Sequence, residues 1–179
     1  GLVRYVKSYL ENKKSKSYNS KKSSYKLNVN PNVKEVRPYI TCAVVKNLKL
    51  NNEKLIELIQ LQEKLHITFG RNRKKISIGI YPLDKINFPL TYEAKKPEEI
   101  KFQPLELNKE VFANEILEKH PKGQEFKHLL ESHKYYPILR DSKNNILSLI
   151  PIINSHLIGK VTENTKEVKQ FLPYKFIFK

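Results

Sequence analysis

The sequence predicts an α+β fold, with a mainly antiparallel sheet, flanking helices and a single core domain. Short runs rich in β-branched and aromatic residues are separated by turn signals, helical patterns fall between groups of these runs, and no strand–helix–strand rhythm repeats. Parallel strands need long crossover connections, whereas short connections join antiparallel strands. With 179 residues, of which 39% are hydrophobic, the chain is long enough to bury a core.

Residues 1–26 are predicted to lie outside that core. Residues 1–10 can form one short amphipathic helix, because apolar side chains recur along one side at helical spacing. Residues 11–26 consist mostly of Lys, Ser, Asn and Tyr and follow neither a helical nor a strand period, so we expect a solvated, flexible linker. A dedicated RNA-binding arm is the alternative interpretation. The core domain is then expected to span residues 27–179.

Each element of the core is predicted from a local pattern. Strands are expected where β-branched and aromatic residues cluster or alternate, and helices where apolar residues recur every three or four positions. Asn51 or Asn52 can cap the longest predicted helix, and Gly70 follows its end. In chain order the predicted elements are a strand at 36–48, a helix at 51–69, a strand at 75–82, a single helical turn at 82–86, strands at 88–94 and 100–105, helices at 108–119 and 122–134, and a hairpin of strands at 135–141 and 146–153.

Two polar residues fall on the apolar stripe of the helix predicted at 51–69. The stripe runs through Leu55 and Ile59, and Gln62 and His66 continue it at helical spacing. Polar side chains on a face that packs against a core require hydrogen-bond partners. They are therefore either satisfied core residues that brace the helix against the sheet or residues that bind a ligand.

The chain is basic, since 34 Lys and Arg residues against 18 Asp and Glu give a formal net charge of +16. This charge favours phosphate-bearing partners such as nucleic acids. Nucleotide bias in the coding DNA is the alternative source of a Lys- and Asn-rich composition. In the basic turn at 70–75, Arg71, Arg73 and Lys74 are candidates to contact an RNA backbone, although a solvated surface turn has the same pattern.

Several kinds of protein are not indicated by the sequence. No phosphate-binding glycine loop, zinc pattern, HExxH or GxSxG motif occurs. The single cysteine, Cys42, cannot form an internal disulfide and fits a reducing cytoplasm. No apolar run approaches the roughly 20 residues of a membrane helix, and the first residues lack the pattern of a secretory signal. We therefore expect a cytoplasmic protein with no metal site and no membrane partner.

Two long stretches carry a family resemblance. They read VRPYITCAVVKNL with LIELIQLQEKLHITFGRNRKKISIGIYPLDKI, and YYPILRDSKNNILSLIPIINSHLIGKVTENT. In this order they resemble the beta subunit of the archaeal/eukaryotic type of phenylalanine–tRNA ligase, and the opening GLVRYVKSYL resembles the segment just ahead of its editing domain. The resemblance runs from Gly1 to about Val168, and it identifies residues 27–179 as an editing domain.

The resemblance implies an activity and its partners. The family's enzyme is an α2β2 ligase whose alpha subunit aminoacylates with ATP and Mg²⁺, and the editing domain of the beta subunit hydrolyses tyrosine wrongly esterified to tRNA(Phe). It implies tRNA(Phe) and the alpha subunit as partners and no cofactor in this domain. A non-catalytic module that docks tRNA or the alpha subunit is the alternative. A free-standing nucleic-acid-binding protein is a third reading, which only the charge supports.

Site residues follow from the same resemblance. Leu139 matches a leucine that lines the tyrosine pocket, and Ser148 matches a polar pocket residue with a candidate catalytic role. Gln62 and His66 are added because helical spacing places them on the inner face of the predicted helix, and we expect Gln62 to bind the amino acid and His66 to act in catalysis by holding the ester or the water. Each also has a plain structural explanation, because Leu139 belongs in any core and the polar residues can simply brace the fold.

After Val168 the resemblance stops. The family continues with a strand that carries a carboxylate and a threonine, which help to recognise the tyrosine hydroxyl. Here the chain reads KQFLPYKFIFK, so that Phe171 and Pro173 stand where those polar residues are expected. A proline would also interrupt a central strand. We expect this departure to preserve the fold but to weaken or abolish editing.

Overall fold

The architecture is that of a computed structural model, which describes residues 2–12, 23–47, 50–165 and 168–174. Its helices are α1 (Leu2–Leu10), α2 (Asn52–Ile67), α3 (Ala113–Lys119), α4 (Pro121–Phe126) and α5 (His156–Gly159). Its strands are β1 (Leu27–Val29), β2 (Tyr39–Val45), β3 (Gly79–Pro82), β4 (Leu90–Lys95), β5 (Lys101–Phe102), β6 (Val111–Phe112), β7 (Tyr136–Arg140), β8 (Ile146–Leu149), β9 (Ile153–Asn154) and β10 (Val168–Tyr174). Single turns of 3-10 helix lie at Pro31–Val33, Leu83–Lys85, Pro97–Glu99 and Lys127–Leu129.

Three sheets form among the described residues. The largest has the strand order β1-β4-β7-β8-β9, and only the β1–β4 pair in it is parallel. The second has the order β2-β10-β3 and is antiparallel throughout, and the third pairs β5 with β6. The predicted α+β class with a mainly antiparallel sheet is therefore confirmed.

Two buried clusters fill the space around the large sheet. One joins strands β7 and β8 to α3 and α4, with Ile138, Leu149, Ile116 and Leu130 at its centre. The other gathers around Leu139 with residues that include Leu90, Tyr92, Tyr81, Leu147 and Ile150. Full burial of one such side chain stabilises the folded chain by about 1.5–3 kcal/mol.

The longest predicted helix forms almost as expected. It begins after Asn51, whose Oδ1 accepts a hydrogen bond from the Lys54 amide at 2.9 Å. It ends just before Gly70, where an added Cβ would lie 2.4 Å from the carbonyl oxygen of His66 and 2.5 Å from that of Ile76. A side chain at this position would clash with both carbonyl oxygens, so only glycine fits where the chain leaves the helix.

Other predicted boundaries are wrong because tertiary pairing overrides local preference. The helix predicted at 108–119 begins at Ala113, since residues 111–112 pair with β5 instead. The helix predicted at 122–134 is the short α4 followed by a 3-10 turn. The strand predicted at 100–105 shortens to β5, and the one at 75–82 to β3.

The predicted second strand of the C-terminal hairpin is divided, because β8 ends at Leu149 and a turn precedes β9. Most of the predicted linker, residues 13–22, lies outside the described residues. No described helix combines the length and the apolar character that a bilayer span requires.

The expectation that proline interrupts the strand near the end of the chain is also wrong. Strand β10 pairs with β2 along its whole length, from Val168 opposite Val45 to Tyr174 opposite Tyr39. Its pairing with β3 ends at Phe171 opposite Gly79. Among the described residues, Pro173 therefore pairs with β2 alone, and a strand position with one open side tolerates a residue without an N–H.

The contact between α3 and α4 generates a stability prediction. A Cβ added to Gly123 would lie 1.7 Å from the carbonyl oxygen of Ile116, so the two helices must move apart in Gly123→Ala. We expect that variant to lose about 1–3 kcal/mol of unfolding free energy in urea. Lys119→Ala is the control, because it removes only an exposed pair with Glu115, and exposed ion pairs contribute little to stability. Equal unfolding midpoints for the two variants would contradict this packing.

Candidate active site

A cavity of about 550 Å³ lies between one face of α2 and the edge formed by β3, β8 and β9. Ligand pockets in proteins have volumes of roughly 300–1,000 Å³. The helix supplies an apolar wall of Leu55, Leu58 and Ile59. The chain from β8 to β9 adds the polar residues Ser148 and Asn154, together with the apolar residues between them. The cavity therefore joins an apolar surface to a small set of hydrogen-bonding groups.

Gln62 and His66 connect the helix to the chain that leads into β3. The Gln62 Nε2 donates to the carbonyl oxygen of Ile78 at 2.9 Å, and the His66 Nε2 accepts from the Ile78 amide at 2.8 Å. With Nε2 as the acceptor, the ring proton lies on Nδ1, which is 3.3 Å from Glu63 Oε1. Both predicted site residues line the cavity, and the backbone of Ile78 holds both in place.

The pKa of His66 lies below its ordinary value of 6.5. Burial is the largest cause, because it disfavours the charged imidazolium, and the nearby Arg73 guanidinium lowers the pKa further. Glu63 acts in the opposite direction through its charge and its hydrogen bond, and so does the Ile78 carbonyl oxygen, which lies 3.2 Å from Nε2. The ring is therefore neutral at neutral pH, which keeps Nε2 available as an acceptor.

Arg73 lies inside the molecule, where it joins three parts of the chain. Its Nη2 donates to Glu63 Oε1 at 3.0 Å, and its Nη1 donates to the carbonyl oxygens of Pro151 and Ile152 at 3.1 and 2.9 Å. The guanidinium also stacks over the ring of Phe126, with 4.2 Å to the centroid. The side chain is only 10% exposed and lines the cavity.

The turn that carries Arg73 has an unusual backbone. Arg71, Asn72 and Arg73 all have positive φ, at 48°, 52° and 63°. Such angles are uncommon for residues other than glycine, and they persist where surrounding contacts determine them. Arg73 is buried, whereas Arg71 and Lys74 remain exposed. The three basic residues predicted to contact RNA are therefore divided, with one directed inward and two at the surface.

A hydrogen-bonded cluster forms the polar side of the cavity. The Tyr81 hydroxyl lies 2.8 Å from Ser148 Oγ and donates to Asn154 Oδ1 at 3.1 Å. Ser148 and Asn154 are directly opposite each other on β8 and β9, so that one tyrosine reaches both. Burial raises the pKa of Tyr81, although its bond to Ser148 acts in the opposite direction, so the phenol stays protonated and can donate.

Leu139 lies beside this cluster and not at the cavity surface. It pairs with Ser148 across β7 and β8, is 0% exposed, and packs with Tyr81 and Tyr92 in the core. It is not among the described residues that line the cavity. Its position supports the cavity wall from behind.

Three residues of this site were not selected from the sequence, namely Glu63, Tyr81 and Asn154. Tyr81 ends the alternating run of β3, and Asn154 ends the PIIN motif. The sequence pattern placed Tyr81 and Asn154 on strands. It could not show that the Tyr81 hydroxyl contacts residues about 70 positions further along the chain. Among the described residues, no group of three or more His, Cys, Asp or Glu side chains has an arrangement that could hold a metal ion.

The arrangement around His66 predicts a change in its titration. Since Glu63 raises the pKa of His66, Glu63→Gln should move that pKa further below 6.5 in an NMR titration of the imidazole. Glu57→Gln is the control, because Glu57 is exposed on the same helix two turns away. A His66 pKa that is the same in both variants would show that the Glu63 contact is absent.

No protein-family model matches this chain, but individual proteins do. It is 46% identical over 151 residues to the phenylalanine–tRNA ligase beta subunit of Thermococcus sibiricus, a match that covers 84% of this chain and 27% of that protein. It is 44% identical over 169 residues to the beta subunit of Pyrococcus horikoshii, covering 94% of this chain and 30% of that protein. The corresponding subunit of Methanosphaera stadtmanae is 41% identical over 166 residues, covering 92% and 30%.

The fold has a solved counterpart. The crystal structure of an N-terminal fragment of the phenylalanyl-tRNA synthetase beta subunit from Pyrococcus horikoshii superimposes with a TM-score of 0.87 at 42% identity, covering 96% of this chain and 49% of that one. The chain spans less than a third of the length of its full-length relatives. Over the region that it shares with them, the chain belongs to the family of phenylalanine–tRNA ligase beta subunits.

Proposed function

We propose that this chain is an editing domain that hydrolyses tyrosine wrongly esterified to tRNA(Phe). The observation that carries the proposal is the cavity of about 550 Å³, which is lined both by apolar residues of α2 and by the Tyr81–Ser148–Asn154 cluster. An aromatic ring suits the apolar wall, and a phenolic hydroxyl suits the cluster. The relatives supply the context, since they are named as subunits of the ligase that charges tRNA with phenylalanine.

The need for a second site follows from the chemistry of the two amino acids. A hydrophobic pocket discriminates only about 10²-fold against a ligand that merely adds a hydroxyl. A site built around hydrogen-bonding groups selects in the opposite direction, because phenylalanine would leave those groups buried and unpaired. The polar cluster is the feature of this cavity that can distinguish tyrosine from phenylalanine.

The reaction itself requires little from the protein beyond positioning. A water oxygen attacks the ester carbonyl carbon, the bond from that carbon to the ribose oxygen breaks, and the ribose oxygen takes up a proton. The products are free tyrosine and tRNA. Ser148 and Gln62 line the cavity and are proposed to orient the aminoacyl group. His66 is proposed to act as a positioning residue, because its Nε2 already accepts from Ile78 and its Nδ1 faces Glu63.

The RNA is proposed to approach along the basic turn at the end of α2. Arg71 and Lys74 are exposed and lie in the same turn as Arg73, which lines the cavity. Their side chains can reach phosphates outside while Arg73 remains bound to Glu63. In this scheme Arg73 maintains the turn and does not itself contact RNA.

The rest of the enzyme belongs to the same proposal. The alpha subunit, ATP and Mg²⁺ would serve aminoacylation in an α2β2 ligase, and this domain would hold no cofactor of its own. The enzyme would act in the cytoplasm, where charged tRNA is used.

A second candidate function is a non-catalytic module that docks tRNA or the alpha subunit. The observation that favours it is that the Ile78 backbone already occupies the side-chain nitrogen atoms of Gln62 and His66 that face the cavity. The divergent sequence after Val168 favours it as well. Such a module would bind tRNA(Phe) and leave a tyrosyl ester intact.

Deacylation of tyrosyl-tRNA(Phe) by this chain tests the choice. We expect release of tyrosine faster than in buffer, and a loss of about tenfold in kcat/KM for Ser148→Ala, which corresponds to one hydrogen bond. Tyr81→Phe removes the hydroxyl from the same cluster and should lose a similar factor. Ser142→Ala, at an exposed serine of the β7–β8 turn, is the control and should keep the wild-type rate. A folded wild-type chain that binds tRNA(Phe) without releasing tyrosine would support the docking module.

A further inference from the structure

A second, smaller cavity lies on the other side of the basic turn. Its volume is about 130 Å³, several times the ~10–15 Å³ that one water molecule requires. Its buried floor contains Val36, Arg37 and Leu130. Its rim carries the exposed residues Lys74 and His128, together with Ser132 and His133. The editing proposal uses none of these residues except Lys74.

Arg37 is a buried cation without a counter-charge in the described part of the chain. Its side chain is 5% exposed, its Nη2 donates to the carbonyl oxygen of Arg73 at 2.7 Å, and its Nε is buried with no hydrogen-bond partner. No described carboxylate lies within ion-pair distance of it. The Tyr92 hydroxyl donates to the Arg37 carbonyl oxygen, and burial raises the pKa of this phenol and keeps it protonated.

Burial without an opposite charge disfavours the charged form of Arg37 and so lowers its pKa. Burial lowers the pKa of Arg37 to about 10 from its ordinary value of 12.5. The guanidinium remains charged at neutral pH even so. Proteins rarely bury an arginine unless an opposite charge or a full set of acceptors compensates it. Arg73, which is also buried, has such a partner in Glu63, and Arg37 has none.

The surroundings of Arg37 supply donors and positive charge. Lys74 adds a second cation at the rim, and Ser132 and His128 add groups that can donate hydrogen bonds. No Asp or Glu is among the described residues that line this cavity. A concave surface with two cations, several donors and no carboxylate is complementary to a tetrahedral oxyanion.

We propose that this cavity is a phosphate-binding site, in which Arg37 supplies the buried charge and Lys74 contacts the anion from the rim. The ligand is a phosphate group, either free in solution or part of an RNA backbone. The site is separate from the large cavity, and its occupancy does not depend on whether that cavity hydrolyses an ester. A phosphate here would give a role to the strained turn. That turn places Lys74 at the rim of the cavity, and its Arg73 carbonyl oxygen accepts a hydrogen bond from Arg37.

Calorimetric titration with inorganic phosphate at constant ionic strength tests the site, with chloride as the comparison anion. We expect saturable binding of one phosphate by the wild-type chain, with Kd at least tenfold higher for Lys74→Gln and for His128→Gln. Lys127→Gln is the matched control, because Lys127 is exposed close by but does not line the cavity, and its Kd should change less than twofold. Arg37→Met should abolish saturable binding while circular dichroism reports a folded chain.

Two results would overturn the proposal. One is the absence of saturable phosphate binding by the wild-type chain, and the other is an unchanged Kd in Lys74→Gln and His128→Gln. The rim variants keep the test valid if Arg37→Met does not fold, because both residues are at the surface.

A competition experiment then distinguishes the two sources of phosphate. Inorganic phosphate at saturating concentration should weaken binding of tRNA(Phe) by the wild-type chain if an RNA phosphate occupies the cavity, and the effect should vanish in Lys74→Gln. Equal tRNA affinity with and without phosphate would identify free phosphate as the ligand. Both outcomes require phosphate binding in this cavity. A cavity that binds neither inorganic phosphate nor an RNA phosphate would contradict the proposal.

Discussion

The buried guanidinium of Arg73 is the interaction on which the arrangement of this molecule depends. Burial of a charge is unfavourable unless opposite charge and hydrogen-bond acceptors compensate it. Here α2 supplies Glu63, the segment before β9 supplies the carbonyl oxygens of Pro151 and Ile152, and α4 supplies the ring of Phe126. These parts are distant in sequence, and one side chain sets their separation. Because the Glu63 side chain is 43% exposed, solvent screens that ion pair, and it positions α2 relative to the sheet together with the two carbonyl acceptors and the Phe126 ring.

The large cavity is a consequence of that separation. With α2 held through Glu63 at its last turns, its apolar face spans the gap to β8, and Gln62 and His66 close the side of the gap near Ile78. The same turn that directs Arg73 inward presents a carbonyl group to Arg37 and leaves two basic side chains outside. Fold and site therefore share residues, and a helix face that looks like core by its pattern is also the wall of a pocket.

Local patterns predicted much of this structure, and their failures have physical causes. The α+β class, the helix capped by Asn51 and the hairpin of β7 and β8 follow from capping, periodicity and turn residues. The spacing that placed Gln62 and His66 on the apolar stripe also placed them at the cavity. Sequence could not show that Arg73 is buried, because three positive φ angles reverse its direction within a basic run. It could not show the Tyr81–Ser148–Asn154 cluster either, since only the sheet register brings these residues together.

We infer that the polar cluster makes the large cavity prefer a tyrosyl over a phenylalanyl group. Calorimetric binding of two non-hydrolysable adenosine analogues, which carry tyrosine or phenylalanine through a 3′ amide, tests this preference. We expect the tyrosyl analogue to bind about tenfold or more tightly, the equivalent of one buried hydrogen bond, and Tyr81→Phe to reduce the difference. Equal affinity for the two analogues, or tighter binding of the phenylalanyl analogue, would contradict it.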